Sequence, residues 1–268
     1  MKLTNKFNLP DPIVNAVMNT GYTPGSSDIT VTQLIQPPLI RKLSRDNWDK
    51  LEEDVSERVW ALFGTSVHHL LEMAYKGRTA RVEERVYAEV SGWKLGGQFD
   101  VLEGDILSDY KVTSVFAKDG KKEWETQLNV LRWLLHKNGT VVNKLQIIQF
   151  FRDFRKNEQK RNPHDYPTPA ARLDIPVWTL EETEKYVEER VRLHQSDNPS
   201  ICTDEERWAT EEKWAIMKNG AKRATKLYDI KPESVEKGYY IEHRPKSYRR
   251  CEDYCSVSKF CPHWKTEF

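Results

Sequence analysis

No stretch of this sequence is apolar for long enough to span a bilayer. Nor does it open on a charged segment followed by an apolar stretch and a cleavage site, so the expected location is the cytoplasm, with no membrane partner. Internal repeats and low-complexity runs are absent, which excludes solenoids and disordered tails. A dominant charge is missing too: 42 basic residues stand against 41 acidic ones, a net +1. That balance does not announce nucleic-acid binding, and it does not exclude it, because a local basic patch suffices for phosphate. Cysteine is scarce, with four residues in 268, yet Cys251, Cys255 and Cys261 fall close together and Cys202 is available as a fourth. In a reducing cytosol such a cluster reads as a metal or iron–sulfur site before it reads as disulfides, and four independent thiols are the least favoured reading.

What is present is a polar globular chain, 38% hydrophobic and 31% charged. Its 268 residues can bury a real core as one large domain, or as one domain with an appendage. Residues 1–30 read as irregular, with Pro10, Pro12 and Pro24, and Ile29–Ile35 as a short helix stopped by Pro37 and Pro38. Asp46–Lys76 is predicted helical, with Val59, Phe63, Val67, Leu70 and Ala74 as a buried stripe. Segments 86–90, 94–102 and 106–112 form a predicted three-stranded meander with turns at Ser91-Gly92 and Gly104-Asp105. A helix over 124–136, a strand over 145–151, a basic loop over 152–172 and helices over 181–195 and 208–228 follow. The order implies an α/β domain with a mixed sheet. We take residues 1–268 as one such domain, with a core at about 55–155 and a C-terminal helical and cysteine-bearing addition at about 175–268.

The meander carries the chemistry. A Gly-first two-residue turn at Gly104-Asp105 pairs Val101 with Ser108 and, extended outward, Asp100 with Asp109 and Gln98 with Lys111. Gln98, Asp100, Asp109 and Lys111 then share one face. Two facing carboxylates among apolar neighbours repel. A divalent cation removes that cost, and oxygen-rich pairs of this kind suit magnesium or manganese. Lys111 beside them can orient a water or stabilise charge on a phosphate. Against this stands the plainer reading of an exposed hairpin face with scattered charges, at even weight on these residues alone.

At these residues the sequence resembles the PD-(D/E)XK nuclease superfamily: Gly97-Gln98-Phe99-Asp100 is followed by Ser108-Asp109-Tyr110-Lys111. Gly64-Thr-Ser-Val-His68 is similar to the Gly-x-x-x-His signature of the RecB-like branch, Glu84 stands where that branch has an acidic residue, and Gln127-Leu-Asn is similar to its Gln-x-x-x-Tyr motif. These motifs span residues 64–131 in family order, with Leu131 in place of the tyrosine. The resemblance implies a restriction-endonuclease-like core with a mixed central sheet flanked by helices. It implies metal binding by His68, Asp100, Asp109 and the backbone carbonyl of Val112, catalysis by Lys111, and a positioning role for Gln127. Glu84 would give acidic support, with Glu83 beside it as a rival. By itself His68 reads as an ordinary satisfied histidine, as does His69.

The cysteines Cys251, Cys255 and Cys261, with Pro262 directly after, resemble the iron–sulfur ending of RecB-like nucleases. With Cys202 they would hold a 4Fe-4S cluster that staples the segment without doing chemistry; zinc is the rival, and His263 could replace one ligand. DNA contacts fall to Arg152, Arg155 and Lys156, interleaved with Phe150, Phe151 and Phe154, and to Lys222 and Arg223 on an expected helix face with Lys218 and Lys226. A solvated face is the alternative for any one of them. Trp208 and Trp214 read as core. The expectation is therefore a magnesium- or manganese-dependent DNA exonuclease of phage-type recombination or end resection, with a single-strand annealing protein as the partner that family analogy suggests. A structure-specific endonuclease on the same scaffold, or an inactive metal-stapled DNA-binding protein, are the alternatives.

Overall fold

A computed structural model describes residues 1–19, 25–75 and 79–267. Its elements are β1 (Lys2–Thr4), α1 (Asp11–Met18), β2 (Ile29–Thr30), α2 (Val31–Ile35), α3 (Pro38–Asp46), β3 (Glu52–Asp54), α4 (Val55–Ala74), β4 (Arg81–Val82), β5 (Arg85–Val90), β6 (Trp93–Gln98), β7 (Val101–Glu103), β8 (Ile106–Thr113), α5 (Lys122–Lys137), β9 (Lys144–Phe151), α6 (Lys156–Arg161), β10 (Ala170–Ile175) and α7 (Leu180–Gln195). The remainder comprises β11 (Ala209–Thr210), β12 (Lys213–Lys218), β13 (Ala224–Tyr228), β14 (Tyr239–Arg244), β15 (Ser247–Tyr248) and α8 (Pro262–Glu267). The chain divides into two compact units, one of residues 1–36 and 52–197, the other of 37–51 and 198–268.

The first unit is α/β. Its main sheet has the order β10-β9-β8-β7-β4; β8 and β9 run parallel and the other neighbours antiparallel, so the sheet is mixed. A second sheet, β2-β6-β5, lies beside it, and no sheet among the described residues closes into a barrel. Helix α5 connects β8 to β9 and is buried along most of its length, through Leu128, Leu131, Leu134 and Leu135. Each such side chain contributes roughly 1.5–3 kcal/mol of transfer free energy. The helix can sit this close because β6 offers Gly97: a Cβ there would lie 2.5 Å from Leu131 Cδ2 and 2.8 Å from Val31 Cγ2.

Several local expectations are corrected. Helix α4 starts at Val55, not Asp46, because Asp54 caps it, accepting from the Ser56 amide at 3.1 Å and hydroxyl at 2.7 Å. Lys76, the expected helix end, and Pro24 lie outside the described residues. The expected buried stripe of α4 is not buried: Phe63 is 53% and Leu70 60% exposed, and Val55 is the helix's buried residue. Residues 1–30 contain β1, helix α1 and β2, and the loop expected over 152–172 contains α6 and the start of β10. The helix expected over 208–228 is instead β11, β12 and β13, with a turn at Gly220 (φ +78°). Lys222 and Arg223 sit in that turn, so their expected common helix face does not exist. Ala215 and Met217 are buried in alternation along Lys213–Lys218, and pairing to β14 on one side and β13 on the other makes the segment a strand. Among the described residues no helix is long and apolar enough to cross a membrane.

Candidate metal centre

The hairpin turn forms as read: Gly104 has φ +61°, and Val101, Leu102 and Glu103 pair with Ser108, Leu107 and Ile106. Further out the meander splits. The ladder stops at Asp100, and Gln98 pairs with Arg85 in the other sheet, so it does not face Lys111. Leaving the strand frees the Asp100 side chain to cross to β8, where Oδ2 accepts the Tyr110 amide at 2.6 Å.

His68 reaches the same place from α4. Its Nδ1 lies 3.5 Å from Asp100 Oδ1 and 3.5 Å from Glu83 Oε1, and Nε2 is 3.0 Å from the Tyr110 carbonyl oxygen. His68, Glu83 and Asp100 place one donor atom each within 4.8 Å of one another. The acidic partner is therefore Glu83 and not Glu84, which turns away to Arg81 at 2.7 Å. The backbone explains the exchange. Glu83 adopts φ +51°, a left-handed conformation that costs a non-glycine residue about 1–2 kcal/mol. It breaks the alternation between β4 and β5, and its amide donates to the Asp100 carbonyl at 2.9 Å. Gln98 then holds Glu83, donating to Oε2 at 2.8 Å while accepting from Arg85 at 2.8 Å. The carbonyl set against His68 is that of Tyr110, two residues before Val112.

Asp109 stands beside this trio but faces another way. Its Oδ2 is 2.6 Å from Lys111 Nζ, and its Oδ1 accepts from Gln127 Nε2 at 3.1 Å. Gln127 Oε1 also accepts from Lys111 at 3.3 Å, so Asp109, Lys111 and Gln127 close a triangle. Leu131, in the tyrosine's expected place, is buried against Gly97 and leaves Gln127 to act without it. His69 points outward to Glu72.

The electrostatics are those of a site with surplus negative charge. Burial raises the Asp100 carboxyl well above its ordinary range, and the nearby Asp109 charge adds to the rise. For His68, burial disfavours the imidazolium, but the Glu83 hydrogen bond, the Asp100 charge and the Tyr110 carbonyl outweigh it and raise the pKa. Asp109 Oδ2 is buried and, despite its short contact with Lys111, takes no well-aligned hydrogen bond. An imidazole Nδ1 and two carboxylates are a fitting donor set for magnesium or manganese, and the Tyr110 carbonyl, bonded to the ring's other nitrogen, fixes the imidazole's orientation. Donors on a six-coordinate ion with bonds of about 2.1 Å lie about 3 Å apart when adjacent and about 4.2 Å apart when opposite. The observed 3.5 Å separations fit that with little movement.

In the second unit, Cys202, Cys251, Cys255 and Cys261 line one pocket with Leu39, Ile40 and Val257. All four are half-buried free thiols. Burial, then Glu206 and the other cysteines, pushes Cys202 up to about 12; burial also raises Cys255. Thiols so placed become thiolates only with a compensating cation. Of the expected core tryptophans, Trp208 is 39% exposed, edge-on to Tyr254, and Trp214 is half-buried against His243. Arg152, Arg155 and Lys156 are exposed at the end of β9 and the start of α6.

No protein-family profile matches this chain, and no curated protein matches it. Among solved structures, the crystal structure of SSO0001 superimposes with a TM-score of 0.53 at 16% identity, over 94% of each chain, which shows a shared fold. A putative exonuclease from Eubacterium rectale covers 56% of this chain and 57% of its own at 15% identity, with a TM-score of 0.31, below the level of a shared fold.

Proposed function

We propose that this protein is a divalent-metal-dependent DNA nuclease of the RecB-like kind, acting as an exonuclease in end resection or phage-type recombination. The observation that carries the reading is the convergence of His68, Glu83 and Asp100 beside the Asp109–Lys111–Gln127 triangle. His68 through Nδ1, Glu83 and Asp100 would hold magnesium or manganese, with the Tyr110 carbonyl orienting the imidazole from its other nitrogen and Asp109 supplying a further oxygen. When bound, such an ion supplies Lewis acidity to the phosphate and lowers the pKa of a coordinated water. The chain's own residues do the rest. Asp109 pairs with Lys111 and aims it, and Gln127 fixes both by donating to one and accepting from the other. Lys111, partly exposed, can then donate to a non-bridging phosphate oxygen as charge develops there.

The cysteine pocket supports a structural 4Fe-4S cluster held by Cys202, Cys251, Cys255 and Cys261. Four thiolates also suit tetrahedral zinc, and the metal content of the purified protein decides between the two.

The test is hydrolysis of linear and circular DNA with magnesium or manganese. Linear DNA should be degraded, EDTA should abolish the reaction, and Asp109→Ala and Lys111→Ala should each reduce it roughly 10²- to 10⁴-fold. Unchanged activity in both variants overturns the site; cleavage of circular DNA assigns an endonuclease.

A further inference from the structure

Helix α4 carries His68 on one side and apolar side chains in solvent on another. Trp60 is 58% exposed and Phe63 53%, and their rings meet at 5.6 Å and 31°. The Arg152 guanidinium lies 5.0 Å from the Trp60 ring centroid, so an arginine from the end of β9 is already stacked on the exposed pair. Its position is fixed. The Arg152 amide donates to the Thr113 carbonyl at 2.9 Å, two residues beyond Lys111 on β8. Asp153 next to it accepts from the Ser114 hydroxyl at 2.6 Å and the Val115 amide at 2.8 Å. From the turn that this locks, Phe116 projects 93% exposed. Trp60 and Phe63 form a contiguous aromatic pair with more than half of each residue in water, Phe116 adds a third exposed ring, and exposed aromatic surface of this kind marks a place made for a ligand.

We propose that Trp60, Phe63, Phe116 and Arg152 form a stacking platform for the unpaired bases of a single-stranded DNA end. The inference rests on the nuclease reading for its ligand class and names the form of DNA that the site accepts. Aromatic faces beside an arginine suit unpaired bases flanked by phosphates, whereas all but the terminal bases of a duplex have both faces covered by their neighbours. Arg155 and Lys156, both exposed, continue the positive charge past Arg152. Eight residues of α-helix separate Trp60 from His68, a rise of about 12 Å, or roughly three to four stacked nucleotides at 3.4 Å each. The platform would therefore grip the strand a few nucleotides from the scissile phosphate and leave the metal centre free to act on its end.

The experiment reads binding without hydrolysis. Full-length protein in EDTA is titrated against fluorescein-labelled oligothymidylate and against a blunt duplex, by anisotropy. Trp60→Ala and Phe63→Ala should weaken oligothymidylate binding roughly 5- to 100-fold. Trp60→Phe should restore most of it, and duplex affinity should stay unchanged. Oligothymidylate affinity unchanged in both alanine variants overturns the platform. So does an equal loss for duplex, or a change in molecular mass by light scattering with DNA affinity intact, which would make the face an interface between proteins. Failure of the nuclease reading looks different: stacking effects would persist while metal-dependent hydrolysis of DNA is absent.

Discussion

Glu83 shows how one backbone angle reassigns a side chain. Two adjacent glutamates lie at the break between β4 and β5, and strand alternation alone gives no reason to prefer the one that faces the metal site. The left-handed φ of Glu83 turns its carboxylate inward to His68 and sends Glu84 to Arg81. Gln98, expected opposite Lys111, holds Glu83 in the candidate site instead. Glu83→Gln should therefore weaken manganese binding roughly 10- to 100-fold, read by calorimetry, while Glu84→Gln leaves it unchanged; the reverse pattern would restore Glu84. Asp100, Asp109, Lys111 and His68 were legible as residues of interest because their types and spacing are chemical. Which of the two aspartates joins His68 was not, because that depends on where β6 leaves its sheet.

The elements place these side chains to within ångströms, and two of them do so by identifiable means. Gly97 lets α5 rest on β6, which brings Gln127 to Asp109. Gly97→Ala should cost about 1–3 kcal/mol through overpacking against Leu131 and Val31, measured by chemical denaturation; a neutral effect would show that α5 can shift away. Helix α4 is anchored at its start by Asp54, whose carboxylate also accepts from Thr4 at 2.8 Å and from the Lys6 amide at 2.8 Å. The Ser56 hydroxyl first, then the Lys6 amide, hold the Asp54 carboxyl well below its ordinary range despite burial. A folded-state pKa below the unfolded value gives stability that is present above the ordinary carboxylate range and lost as pH falls through the folded value. Wild-type Tm should thus fall more steeply below about pH 4 than that of Asp54→Asn, which has no proton to gain. Parallel curves would mean that the anchor does not titrate on unfolding.

At the scale of the molecule, the cysteine-bearing unit contains residues far apart in the chain: α3 near the start, Cys202, and the last three cysteines. If the four cysteines hold the proposed cluster, Cys202 would tie the tail to a distant segment, and closing so long a loop is where a cross-link restricts the unfolded chain most. Purified protein should be brown, with iron and acid-labile sulfide present. Cys202→Ser should bleach it and open residues 198–268 to limited proteolysis, while the manganese-dependent rise in Tm of the other unit is retained. Zinc in place of iron in the wild-type protein would reassign the pocket.

By itself the sequence determined the α/β character of the first unit, the Gly104 turn, the helix that becomes α5, and the residue types able to bind a divalent ion. These are properties of local pattern, where period, turn chemistry and side-chain type act over a few neighbouring residues. Tertiary structure decided the rest. It split the meander between two sheets, exchanged Glu84 for Glu83, set the Tyr110 carbonyl against His68, and made strands of 208–228 through pairing with β14. It also left Phe63 and Leu70 in water although their spacing reads as part of a buried stripe. Periodicity says which residues share a face of a helix; only the neighbouring elements determine whether anything covers that face.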